Sequence, residues 1–110
     1  LWIFEMTAVD TIDKNKNIAT LDLDKIKFPL NIRYWKMGDK IKPLGMQGNK
    51  KISDILIDKK LSLSQKDKVE VLVSGEEIIW IAGFQINEDY KVTSETRKIY
   101  RISLEPKTNG

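Results

Sequence analysis

The chain has 110 residues, 41% apolar and 32% charged, with no histidine, no cysteine and a formal net charge of +3. That length and composition fit one globular domain with a modest core. The missing His and Cys exclude the usual catalytic triads, an imidazole general base, disulfides, and zinc held by nitrogen or sulfur. No run of about 18 apolar residues offers a membrane span, and no secretory leader pattern is visible.

The charge is unevenly spread. Residues 31–68 carry ten Lys/Arg against four Asp/Glu, while residues 1–30 and 69–110 are each slightly acidic. A local basic field between acidic flanks suggests an oriented site for a polyanion. The chain opens at Leu1 rather than at methionine, and is expected to be a segment of something longer.

In chain order, Leu1–Met6 (LWIFEM) is apolar and rich in β-formers, and reads as a strand or as the tail of a helix, with Trp2 and Phe4 in the core. Thr7–Ile12 continues as a strand, and Lys14–Asn17 is a polar turn into a strand over Ile18–Leu23. Lys25–Pro29 is a connection, extended at Phe28 because proline follows.

The stretch Asn31–Lys60 is the centre of interest. Leu30–Trp35 alternates as a strand, with Leu30, Ile32 and Tyr34 on one face and Arg33 and Trp35 on the other. Gly38-Asp39 makes a turn in which Asp39 accepts backbone N–H groups. Pro43-Leu44-Gly45 and Gly48-Asn49 form a loop that permits positive φ and close backbone approach. Ile52, Ile55 and Leu56 then fall at helical spacing, so a helix is predicted from about Lys50 to Lys60.

On that reading Lys50 and Lys51 occupy the helix's first turn, against the dipole at a cost of about 0.3–1 kcal/mol each, with Asp54 placed to offset them. A glycine loop, free N–H groups and two lysines suit a phosphate; the plainer alternative is a solvated surface.

Beyond the helix, Ser64 is expected to cap a short turn over Gln65–Lys68. Val69–Val73 and Glu77–Ala82 form a hairpin about Ser74-Gly75-Glu76, the second strand central and Trp80 in its core. Phe84–Ile86 continues as a bent strand, Asn87–Thr96 is a polar loop, and Lys98–Leu104 alternates as a final strand. Residues 1–104 are read as one domain and 105–110 as a disordered tail. The class is α+β, a mostly antiparallel sheet or sandwich of about seven strands with one main helix. The carboxylate pairs Asp22/Asp24 and Glu76/Glu77 read as surface, and catalysis by this chain is not expected.

The ordered series Arg33, Gly38-Asp39, Pro43-Leu44-Gly45, Gly48, Lys50-Lys51, Asp54, Gln65-Lys66-Asp67, Trp80, Gly83, Tyr90-Lys91 and Thr96 resembles the C-terminal domain of tRNA(Ile)-lysidine synthases, over roughly Phe28–Leu104. The resemblance implies a fold similar to a module of the phenylalanyl-tRNA synthetase β subunit. It also implies a tRNA-holding role at the acceptor stem of isoleucine tRNA within a cytoplasmic ligase. The ATP and Mg chemistry then sits in an N-terminal catalytic domain of the same chain, with no cofactor in this domain.

Residues expected to meet nucleic acid are Arg33, Lys36, Lys40, Lys42, Lys50, Lys51 and Lys66. Lys66 stands where that family tends to have arginine, keeping the charge and losing the bidentate fork. Trp35 stands where a basic residue is common, and either stacks on a nucleotide or packs. The alternative function is a basic protein–protein or interdomain module.

Overall fold

The computed structural model describes residues 2–7 and 17–104. The expected strand beyond Thr7, the 14–16 part of the turn, the side chains of Trp2 and Phe4, and residues 105–110 lie outside the described residues. The strands are β1 (Trp2–Thr7), β2 (Ile18–Asp22), β3 (Leu30–Tyr34), β4 (Lys40–Ile41), β5 (Lys50–Lys51), β6 (Glu70–Ser74), β7 (Glu77–Ile81), β8 (Gln85–Ile86) and β9 (Ile99–Leu104). The α-helices are α1 (Ile52–Asp58) and α2 (Leu63–Asp67), and single 3-10 turns span Leu23–Lys25 and Glu88–Tyr90.

Two antiparallel sheets carry the domain, in strand orders β1-β9-β2 and β3-β6-β7-β8. Between them lies one core, with Ala19 and Leu21 from β2, Leu72 from β6, Ile79 and Trp80 from β7, and Tyr100 and Ile102 from β9. On the other face of the four-stranded sheet, Val71, Val73, Ile78 and Ile81 meet Ile41 of β4 and Ile52, Ile55 and Leu56 of α1 in a second core. The central sheet is therefore covered on both sides. This is why EIIWIA is apolar almost throughout, where a sheet with one wet face would alternate.

The two cores force an irregularity. Leu72 pairs with Trp80 but Val73 pairs with Ile78, so Ile79 is an extra residue on β7. Such a bulge lets neighbouring residues share one face, and both Ile79 and Trp80 reach the first core while Ile78 and Ile81 serve the second.

Several expectations are corrected. Lys50 and Lys51 are not helical: they form β5, with Lys51 in extended backbone at φ −65°, ψ 134° as the N-cap of α1. The reason is pairing with β4, extended by an Ile52 N–H to Asp39 carbonyl bond of 2.9 Å. The helix stops at Asp58, and at seven residues it is too short to stand alone; burial of Ile52, Ile55 and Leu56 holds it. Ser62, not Ser64, caps α2, in a capping box with Gln65.

Asp22 is buried rather than surface, accepting from the Asp24 amide and the Thr96 hydroxyl. Tyr34 ends its strand exposed instead of sharing the buried side with Leu30 and Ile32. The 87–96 loop is more ordered than its polarity suggests, since Asn87 and Tyr90 are both buried.

Candidate nucleic-acid interface

The basic stretch is folded over the second core, with β4 and β5 as its frame. The register sets Lys40 opposite Lys51 and Ile41 opposite Lys50. Paired residues share a face, so Ile41 drives inward and is almost fully buried while Lys40 and Lys51 are exposed on the outer face. Lys50, on the inner side, reaches Asp58 at the end of α1 at 2.6 Å. The predicted pairing of Lys50 or Lys51 with Asp54 is thus replaced by a Lys50–Asp58 bridge.

Arg33 is committed to structure. Its guanidinium grips Asp39 in a fork, with N–O distances of 2.8 and 3.0 Å. The same carboxylate accepts the Lys36 amide at 2.8 Å, as a turn aspartate is expected to do. Burial pushes the Asp39 carboxyl up, but the hydrogen bonds from Arg33 and the Lys36 amide, with both positive charges, hold it below the ordinary value. Gly38, at φ +93°, supplies the left-handed residue that turns the chain back for this grip.

The loop after β4 is held by the 3-10 turn at Glu88. The Glu88 N–H donates to the Lys42 carbonyl at 2.8 Å, and the Glu88 carboxylate accepts the Gly45 N–H at 2.8 Å. Lys91 pairs with Glu88 at 2.6 Å and Lys42 with Asp89 at 3.0 Å. The Gly45 amide, then Lys91, keep the Glu88 carboxyl below its usual range.

An open cleft of about 420 Å³ runs beside this frame. Arg33, Lys40 and Lys42 are among its lining residues, together with Glu76 of the β6–β7 turn, Glu77 at the start of β7, Asn49 and Asn87.

Of the residues predicted to meet nucleic acid, the frame brings Arg33, Lys40 and Lys42 to one cleft and Lys51 beside Lys40. Lys36 is exposed in the turn before Asp39. Lys66 lies elsewhere, on α2, where its carbonyl accepts the Trp35 indole N–H at 2.6 Å. Trp35 accordingly packs against the second core. Lys36, Lys40, Lys51 and Lys66 make no ion pair among the described residues. Sequence reasoning missed Asp58, Glu88 and Asp89 as partners, and Glu76 and Glu77 as cleft residues. The Asn87-Glu88-Asp89 run carried a signal, since Asn87 caps its turn by accepting the Asp89 N–H at 2.9 Å.

The antiparallel scaffold thus places on the β4–β5 hairpin two exposed lysines, Lys40 and Lys51, that have no acidic partner among the described residues. Residues 30–104 match the family described as the TilS substrate C-terminal domain, and the chain belongs to that family. It is 42% identical over 93 residues to the tRNA(Ile)-lysidine synthase of Parabacteroides distasonis, an alignment covering 84% of this chain and 21% of that protein. The chain spans about a fifth of the length of the curated relatives it matches.

Among solved structures it is similar to the crystal structure of a TilS C-terminal domain, with a TM-score of 0.81, 18% identity, and coverage of 93% of this chain and 80% of that one. It is also similar to an N-terminal fragment of the phenylalanyl-tRNA synthetase β subunit from Pyrococcus horikoshii, with a TM-score of 0.67, 20% identity, and coverage of 77% and 27%. These likenesses bear on the fold, and they agree with the expected mostly antiparallel α+β class. No helix among the described residues is long and apolar enough to cross a membrane.

Proposed function

We propose that this domain holds isoleucine tRNA, by the acceptor stem, for a lysidine-forming ligase of the cytoplasm, and performs no chemistry itself. The observation that carries the reading is the Lys40–Lys51 pair. Like charges placed opposite each other across two strands are destabilising, and neither lysine has an acidic partner among the described residues. A phosphate backbone supplies the missing charge. An A-form stem suits such a surface, because its base edges are hidden from side chains and recognition rests on phosphates and 2′-hydroxyls.

The ATP and Mg of such a ligase are taken to act outside this domain. Among the described residues no three His, Cys, Asp or Glu side chains stand together to hold a metal, and the sequence has no phosphate-loop fingerprint. We assign that chemistry to an N-terminal catalytic domain of the longer protein. The double variant Lys40→Ala/Lys51→Ala at full natural length tests the reading. Weaker tRNA binding is expected, with the slope of log affinity against log salt shallower by roughly 1 for each phosphate left without its lysine. Unchanged affinity and slope would remove this hairpin from the RNA interface.

One observation favours a second reading, an interdomain module. Tyr34, Met37 and Leu63 are 62, 78 and 79% exposed, on segments joined by the Trp35–Lys66 hydrogen bond. Binding to a neighbouring domain that persists in high salt would support it.

A further inference from the structure

The cleft beside β4 contains carboxylates that a simple phosphate site would avoid. Most of its polar groups are already engaged. Arg33 is bound by Asp39 and Lys42 by Asp89. Glu77 accepts the Tyr90 hydroxyl at 3.2 Å. Asn87 donates to the Ile78 carbonyl and accepts the Asp89 N–H. Three cleft side chains have no partner among the described residues: the Lys40 ammonium, the Glu76 carboxylate and the Asn49 amide.

A free cation and a free carboxylate in one open cleft select for a ligand with both an anionic acceptor and a neutral donor. A phosphodiester alone is repelled by Glu76. A ribonucleotide unit offsets that repulsion, because its phosphate accepts from ammonium while its 2′-hydroxyl donates to carboxylate. We propose that Glu76 is the specificity-determining residue of this interface, reading a ribose 2′-hydroxyl of the strand whose phosphate lies on Lys40. The inference rests on the RNA reading above and adds to it. The lysines bind any polyanion, whereas the cleft rejects one that lacks the hydroxyl donor. Glu77, tied to Tyr90, walls the site, and Asn49 offers an amide beside it.

The test compares two duplexes of acceptor-stem sequence, one of unmodified RNA and one fully 2′-O-methylated. Methylation keeps the A-form and the phosphates and removes the donor. Binding is measured for the chain at full natural length, as wild type, Glu76→Ala and Lys40→Ala. The wild type is expected to bind the methylated duplex roughly tenfold more weakly, the scale of one hydrogen bond to a charged group. In Glu76→Ala that ratio should fall several-fold, with the methylated duplex bound more tightly than by wild type because a repulsive carboxylate has gone. Lys40→Ala should weaken both duplexes and leave the ratio above that of Glu76→Ala.

If Glu76→Ala strengthens both duplexes by the same factor, Glu76 is only a source of field and the inference is overturned. An unchanged ratio with both affinities unchanged overturns it as well. If wild type binds neither duplex, the RNA reading itself fails, and this one with it.

Discussion

Arg33 shows how a residue's chemistry can point to one role and its neighbours to another. An arginine in a basic stretch suggests a phosphate ligand, yet its fork is filled by Asp39, whose side chain is only 8% exposed. Removing Asp39 leaves Arg33 and the Lys36 amide without their acceptor, so Asp39→Ala should cost about 1–3 kcal/mol, read as a lowered denaturation midpoint. RNA affinity should change little.

The pH dependence follows from the direction of the shift. The Asp39 carboxyl is held below its unfolded value, near 3.9. Its contribution is therefore complete above that value and is lost as pH falls through the lower folded one. Stability curves of wild type and Asp39→Asn should run parallel above about pH 5 and converge in stronger acid. Next door, Gly38→Ala meets open space, with nothing within 4 Å of the added Cβ, but at φ +93°. A loss of roughly 1–2 kcal/mol there is conformational strain alone, and a D-alanine at the same position should restore stability.

At the scale of elements, the errors and successes of sequence reading have separate causes. Periodicity found β2, β3, β6 and β9 because their side chains pack against cores whose spacing the strand period matches, and an unbroken apolar run after a turn found β7. Periodicity also found α1 through Ile52, Ile55 and Leu56. It misplaced Lys50 and Lys51 because a two-residue strand has no period to detect; only the distant partner Lys40–Ile41 defines it. The same limit hid the 3-10 clamp at Glu88, which is made by hydrogen bonds to the loop at Lys42 and Gly45, more than forty residues away.

The lysine-rich stretch was legible as composition. The carboxylates facing the cleft were not, since Glu76 and Glu77 arrive through the fold. Caps can be checked directly. Ser62→Ala removes the hydroxyl that accepts the Gln65 N–H and half of a capping box, and should cost about 1 kcal/mol. Ser64→Ala should cost almost nothing by the same denaturant measurement.

At the scale of the whole molecule, one sheet serves two cores. Leu72 and Trp80 face the β1-β9-β2 sheet, and Val71 and Ile81 face α1. Damage to either layer reaches the other through shared strands. Trp80 is 1% exposed, so Trp80→Ala should cost about 3–5 kcal/mol. Because α1 depends on the same sheet, native-state hydrogen exchange should show α1 amides losing protection together with β2 and β9. Loss confined to the first core would mean the layers open independently.

The Lys40–Lys51 pair also makes the domain's own stability a reporter of what it binds. Two lysines set opposite each other in the β4–β5 register raise the energy of the empty fold, and anything that neutralises them lowers it. Occupancy and melting temperature are then thermodynamically reciprocal, with a polyanion at a hundred times its dissociation constant adding about 2.7 kcal/mol. Inorganic salt acts with two signs, since it screens the repulsion in the empty domain while competing with the polyanion for the filled one. Melting curves taken along a salt series should therefore rise without ligand and fall with it, and the two lines should approach one another at high ionic strength.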